Sequence, residues 1–377
     1  MDDSNDQTGR QEEREGSWLR RRRGAARRAQ TEREASVSAE ASVAHAAVPP
    51  EPPPPPPPPK AIWTDSHCHL QDDPDPASTL ALARAARVGR VICVGTDAPS
   101  SRKAVMLAGQ LSGSHAPASS VGPAAGPAAI GSEPAADDEP RESAYRASAF
   151  GKSAFGAVSI PYLGADGVSR AEVWATVGLH PHDAKVGLDS LTEFLDELSA
   201  AEGFRRSRVV AIGECGLDYH YENSPRAVQR EVFAAQVALA IRHRLSLVIH
   251  TREAWEDTFS ILDAEGVPER TIFHCFTGGQ AEAKRCMDYN AYLSFSGIVT
   301  FANADELRRA VAHCPLDSLL IETDSPFLTP VPYRGRRNNP SNVALVGNAI
   351  AKVKGFEPEV LAAVSWMNAE KAFGLGG

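Results

Sequence analysis

Six side chains of metal-binding type close apolar runs in this 377-residue chain: His67, His69, Glu214, His250, His274 and Asp324. Imidazole nitrogens and carboxylate oxygens are the donors that zinc, manganese and magnesium sites use. Burying such groups at the end of an apolar run costs free energy unless a partner compensates. His67 and His69 lie two positions apart, so on an extended strand both project to one side and Cys68 to the other. Taken singly, a histidine at a strand end is more often a satisfied polar residue than a ligand. Six such residues at five separate run ends favour a metal centre. Four imidazoles and two carboxylates exceed what one tetrahedral ion needs. They fit a pair of divalent ions sharing a carboxylate, spaced about 3.5–4 Å apart, which activate water and hold attacking and leaving oxygens together. His45, His115 and His313 lack comparable neighbours and are incidental.

Positioning these groups requires eight strands. Short β-branched or apolar runs at Ala61–Asp65, Arg90–Val94, Val173–Val177, Arg208–Gly213, Ser246–Ile249, Arg270–Phe273, Ala291–Phe295 and Ser318–Glu322 are the predicted strands. Helical patterns separate them. The second runs over about Ser101–Leu111, and the clearest has Ser224 as N-cap, Pro225 at the first helical position and Val228, Val232, Ala235 and Leu239 on one face. Strands alternating with helices predict a parallel sheet, here a (β/α)8 TIM barrel, whose C-terminal strand ends converge on one face. An open doubly wound sheet is disfavoured, because no Gly-x-Gly-x-x-Gly opens a helix after the first strand.

Composition sets the rest of the frame. With 39 Lys and Arg against 48 Asp and Glu, the net charge of −9 excludes a generally basic nucleic-acid coat. Residues 1–60 mix charges of both signs and end in the proline run Pro52–Pro59, which reads as a disordered tail with a stiff spacer. Arg20–Arg23 within it is a candidate nuclear address, with a solvated charge run the commoner meaning of such a cluster. Residues 112–170, dominated by Ala, Ser, Gly and Pro, read as a second disordered segment inserted between helix 2 and strand 3. The remainder, residues 61–376 without that insertion, approaches the ~250 residues of one barrel. Six cysteines without a Cys-x-x-Cys pair exclude a disulfide scaffold. No apolar run is long enough to span a membrane and no signal core opens the chain, so a reducing, cytoplasmic setting is expected.

The motifs together resemble the TatD-type metal-dependent deoxyribonucleases of the amidohydrolase-like barrel superfamily. The resemblance rests on Asp65-Ser66-His67-Cys68-His69, Gly178-Leu179-His180-Pro181-His182, Ile212-Gly213-Glu214-Cys215-Gly216-Leu217-Asp218-Tyr219, His250-Thr251-Arg252, His274-Cys275-Phe276-Thr277-Gly278 and Glu322-Thr323-Asp324-Ser325-Pro326. It implies one ion held by His67, His69, Glu214 and Asp324, and another by Glu214, His250 and His274. It also implies hydrolysis of DNA phosphodiesters from the 3′ end, with Asp324 orienting the attacking water and taking its proton, and Glu214 as the shared carboxylate. Mg2+, Mn2+ and Zn2+ all suit the donor set.

His180, His182, Arg252 and Arg337 are the candidates for substrate contact, Arg because its fork of donors matches a phosphate. In the segment Arg336-Arg337-Asn338-Asn339-Pro340, Asn339 stands where the family has Glu. DNA, as single strands or ends, is the expected partner, with no membrane and no obligate protein partner. Two cations and local arginines would make the cleft positive on an acidic protein. Two rivals stand beside this reading. The same centre serves amide or ester hydrolysis, including removal of an aminoacyl group from tRNA, although many such relatives use a modified lysine where this chain has Glu214. A barrel acting only as a scaffold is disfavoured by the intact ligand set.

Overall fold

In the computed structural model, residues 62–111, 171–201 and 203–375 are described. Eight strands, β1 (Trp63–Cys68), β2 (Val88–Val94), β3 (Glu172–Val177), β4 (Val209–Asp218), β5 (Ser246–Arg252), β6 (Thr271–Phe273), β7 (Tyr292–Phe295) and β8 (Leu319–Ile321), lie side by side in chain order. Every neighbouring pair is parallel. Beyond β8 the chain returns to β1. His69 N–H donates to Ser325 O at 2.8 Å, Asp324 N–H to His67 O at 2.9 Å, and Cys68 bridges Ser325 in parallel. The sheet thus joins its own edge beside the candidate ligands, and the TIM barrel expected from the sequence is the fold.

The helices are α1 (Pro76–Ala85), α2 (Ala98–Leu111), α3 (Asp189–Ala201), α4 (Arg226–His243), α5 (Trp255–Glu265), α6 (Gln280–Asp288), α7 (Asp305–His313), α8 (Val343–Lys354) and α9 (Pro358–Ala372). Local chemistry starts α1, where Asp75 accepts from Ser78 N–H at 3.1 Å ahead of Pro76. Both faces of the strands are buried, as parallel sheets require. One buried cluster joins Ile92, Val94, Trp174, Val210, Val248, Ile272 and Leu320, from alternate positions on six strands, to Ala369, Ala372 and Phe373 at the end of α9. A second, larger cluster packs the opposite strand faces against the helices.

Several boundaries differ from those read in the sequence. β4 continues to Asp218, β5 to Arg252, and β1 to Cys68, so His67, Glu214 and His250 lie within strands. Backbone pairing ignores side-chain polarity where the polar groups find one another, and apolar runs therefore underestimate these strands. Ser224 does not cap α4. Its hydroxyl donates to His182 O at 2.8 Å and accepts from Lys185 N–H at 3.1 Å, while Pro225 occupies the cap position. Val232 and Leu239 are buried as expected, but Ala235 is exposed and Val228 only half-buried, and the buried stripe of α4 also takes in Gln229, Phe233, Gln236, Val237 and Ala240. The two glutamines are buried because their amides serve backbone groups of the loops that follow β3 and β4.

The tail at 1–60 with Pro52–Pro59 and Arg20–Arg23, and the segment 112–170, lie outside the described residues. Among the described residues no helix is long and apolar enough to cross a membrane.

Candidate metal centre

Glu214, buried in β4, is the hub at the C-terminal strand ends. Its Oε1 lies 2.9 Å from His274 Nε2, 3.1 Å from His250 Nδ1 and 3.3 Å from His180 Nε2. Its Oε2 faces the other way, 3.4 Å from His67 Nε2 and 3.9 Å from His69 Nε2. Asp324 Oδ1 completes that second group at 3.5 Å from His69 Nε2 and 3.8 Å from His67 Nε2. Donor atoms of His67, His69 and Asp324, of His67, Glu214 and His274, and of His180, Glu214 and His250 each fall within 4.8 Å of one another. Asp324 reaches its place in left-handed backbone, φ 52°, which Asp tolerates better than most residues.

Hydrogen bonds on the far ring nitrogens decide which imidazoles present a lone pair to the centre. His69 Nδ1 lies 3.0 Å from Val94 O, so the proton sits there and Nε2 is left as a donor atom for a metal. His250 Nε2 lies 3.2 Å from Asp218 Oδ2, which leaves Nδ1 toward Glu214 and His274. His180 is the reverse case. Its Nδ1 accepts the His182 N–H at 3.2 Å, which places the proton on Nε2, aimed at Glu214 Oε1. His180 is therefore a hydrogen-bond donor beside the centre in this arrangement. His274 Nδ1 lies 3.3 Å from Glu322 Oε1, an oxygen that also accepts Cys275 N–H at 2.8 Å.

The electrostatics fit a cation. Burial alone would raise the pKa of Glu214, but His274, His180 and His250 around it hold the carboxylate well below its usual range. Asp324 is likewise lowered against its burial by His69, His67 and His274. Burial would lower His69, yet Asp324 and Glu214 raise it to about 9, and Glu214 with Glu322 raises His274 well above the ordinary value. Burial and the nearby His274 lower His67. A field that concentrates protons on buried imidazoles also favours a divalent ion, whose binding displaces them. His67 supplies the sharpest observation: it is wholly buried and neither ring nitrogen has a hydrogen-bond partner. An orphaned imidazole between two carboxylates is costly without a further partner.

All six candidate ligands from the sequence meet in this cluster. The substrate candidates spread around it. His182 Nε2 sits 3.0 Å from Asp218 Oδ2, Arg252 lies 4.7 Å over the Tyr221 ring, and Arg337 Nη2 donates to Asp72 O at 3.3 Å. Asn339 accepts from Ser341 N–H at 3.0 Å and caps a short 3-10 turn, a role a side-chain oxygen suffices for.

Three further acids belong to the site although sequence reasoning did not single them out. Asp218 bridges His182 and His250, Glu322 backs His274, and Asp65 binds Thr323 N–H at 2.9 Å and its hydroxyl at 2.6 Å. Burial pushes Asp65 up to about 8 against those hydrogen bonds. Asp218 stands at an even offset from Glu214 on β4, so strand alternation carried a signal for it, whereas Glu322 lies just past the end of β8 and had none. Gln229 has no such signature. From a neighbouring helix its amide oxygen accepts Asp218 N–H at 2.8 Å and its Nε2 donates to Asp218 O at 3.0 Å.

The chain is similar to known proteins. An uncharacterized metal-dependent hydrolase, YabD of Bacillus subtilis, is 46% identical over 202 residues, covering 53% of this chain and 77% of its own. The uncharacterized metal-dependent hydrolase TatD of Mycobacterium tuberculosis is 39% identical over 249 residues, 63% of this chain and 92% of the relative. A Citrobacter rodentium protein named 3′-5′ ssDNA/RNA exonuclease TatD is 34% identical over 213 residues, 54% of this chain and 77% of the relative. In fold, the chain is similar to the crystal structure of YjjV, a TatD homologue from Escherichia coli K-12, with a TM-score of 0.62 at 22% identity over 83% of this chain and 98% of that one. The family model for TatD related DNases matches residues 165–374, which takes in β3 through α9 and four of the six candidate ligands. With that match and these relatives, the chain belongs to the TatD family of metal-dependent hydrolases.

Proposed function

We propose that this protein is a two-metal phosphodiesterase that removes nucleotides from the 3′ end of DNA. The observation that carries the reading is the divided Glu214 carboxylate, one oxygen facing His67, His69 and Asp324 and the other facing His250 and His274. His67, His69, Glu214 and Asp324 would hold one divalent ion, and Glu214, His250 and His274 the other. When bound, such a pair supplies positive charge that acidifies a water and offsets the charge gathering on a phosphate in displacement. The name borne by the Citrobacter rodentium relative supports the choice of substrate and of direction.

The chain's own groups then have distinct tasks. Asp324 is ionised and its side chain keeps 15% exposure, so a carboxylate oxygen is open to receive a proton from the attacking water. The water oxygen bonds to phosphorus as the bond to the leaving sugar oxygen breaks, and the proton taken up by Asp324 would pass to that oxygen, which leaves as a hydroxyl. The Arg252 guanidinium, which lies over the Tyr221 ring, would donate to phosphate oxygens, while His180 Nε2–H holds Glu214 Oε1. Asp218 fixes the ring of His250 and thereby the direction of its lone pair, and the Glu322 carboxylate stands behind His274 as an ionic partner at 3.3 Å.

Metal-reconstituted protein incubated in parallel with end-labelled single-stranded DNA, RNA and aminoacyl-tRNA tests the reading. A ladder shortening from the 3′ end of DNA is expected. Intact DNA beside deacylated tRNA would replace it with ester hydrolysis on the same centre.

A further inference from the structure

Seven large apolar side chains stand exposed among the described residues, and two of them are aromatic: Tyr221 at 55% and Phe327 at 63%. Leu82, Met106 and Ile241 are scattered over the outer helices, where single exposed apolar residues are ordinary. Tyr221 and Phe327 are placed differently. Tyr221 is on the loop that leaves β4 and Phe327 on the loop that leaves β8, both at the C-terminal face that holds the metal centre.

Each is the third residue beyond a carboxylate of the site and is tied to it through its backbone. Tyr221 N–H donates to Asp218 Oδ1 at 2.9 Å, and Phe327 N–H donates to Asp324 O at 2.9 Å. Both platforms are held from a second side as well. The Arg252 guanidinium lies 4.7 Å over the Tyr221 ring and His182 meets that ring edge-on at 5.4 Å. The Asn338 amide donates to Phe327 O at 2.7 Å and to Thr323 O at 2.9 Å. Because β4 and β8 are four strands apart in a ring of eight, the two aromatics flank the centre from opposite rims.

A flat exposed ring on a fixed backbone beside a phosphate-cleaving centre suits an unpaired nucleobase, since every base has a π-face and stacking tolerates any sequence. Bases inside a duplex already stack on their neighbours and cannot use such a ring without unpairing. We propose that Tyr221 and Phe327 are stacking platforms for unpaired bases on either side of the scissile phosphate, so that the centre selects single strands and frayed ends over duplex. This inference rests on the phosphodiesterase reading above.

The test compares kcat/KM on oligothymidylate and oligouridylate with that on an abasic strand of the same length and backbone charge, which offers phosphates and no rings. The wild type should prefer the strands with bases by about tenfold or more, the scale of one base–aromatic stack. Tyr221→Leu and Phe327→Leu should each cut that preference at least about fivefold, while Tyr221→Phe and Phe327→Tyr restore it. Thermal melts of the four variants confirm that folded proteins are being compared. A wild type that cleaves abasic and base-bearing strands alike, or leucine variants that keep the wild-type preference, overturns the stacking proposal alone. A wild type that cleaves none of these strands overturns the phosphodiesterase reading and the stacking proposal with it.

Discussion

At the scale of single residues, charge balance around Glu214 governs the site. Replacing it by Gln keeps the shape and removes the negative charge that two cations would share, while His274, His250 and His67 stay crowded around a neutral amide. Bound metal, measured by elemental analysis of the dialysed protein, is expected to fall toward one or no ion per chain, and turnover to collapse. Glu322→Gln provides the scale: it removes the carboxylate behind His274 without touching the centre directly, and losses of about 10–100-fold are typical for such an orienting partner. Glu214→Gln should exceed that. A Glu214→Gln protein with two ions and wild-type turnover would remove the shared carboxylate from the mechanism. The six ligand candidates are legible in the sequence because each pairs an unusual residue type with the end of an apolar run. The assignment of His180 as a donor is not, because it depends on one backbone N–H of His182 arriving at Nδ1, a through-space fact that residue types do not encode.

At the scale of elements, the question is what lets three strands crowd together around Glu214. Apolar periodicity locates β3, β4 and β5 but stops short of the polar ends of β4 and β5, because pattern reading counts burial of apolar groups and these ends bury acids and imidazoles against one another. The backbone there depends on glycine. Gly216 has φ 133°, and a Cβ added to it would lie 2.0 Å from the His250 carbonyl oxygen. Gly216→Ala must therefore either move β5 with its His250 or strain β4. A loss of about 3 kcal/mol is expected, or about 6–12 °C in melting temperature for a barrel of this size. Gly335→Ala serves as the comparison, since Gly335 also has positive φ, 81°, but a methyl group on its Cα would meet nothing within 4 Å. It should cost about 1 kcal/mol. Calorimetry decides between them: equal shifts for the two variants would mean that the approach of β4 to β5 is not what Gly216 provides.

At the scale of the whole molecule, eight strands in chain order divide the barrel into a face built from loops that leave strands and a face built from loops that enter them. Every group of the metal centre lies on the first face. The two low-complexity segments join the barrel on the second, because residues 1–60 precede β1 and residues 112–170 connect the end of α2 to the start of β3. Their composition offers too little apolar surface to form a core of their own, which is the reason to expect that the barrel folds without them. Loop closure adds to this, since its entropy changes by only about 0.6 kcal/mol for each doubling of loop length. Deleting residues 1–58 and replacing 113–169 by a short Gly/Ser linker should leave metal content unchanged and turnover on short oligonucleotides within about threefold of the full chain. The measurement is single-turnover cleavage of an end-labelled strand alongside metal analysis and a thermal melt. If the double deletion is folded and metal-loaded but about a hundredfold slower, one of the segments must reach round the barrel to the catalytic face, and separate deletions would then identify which.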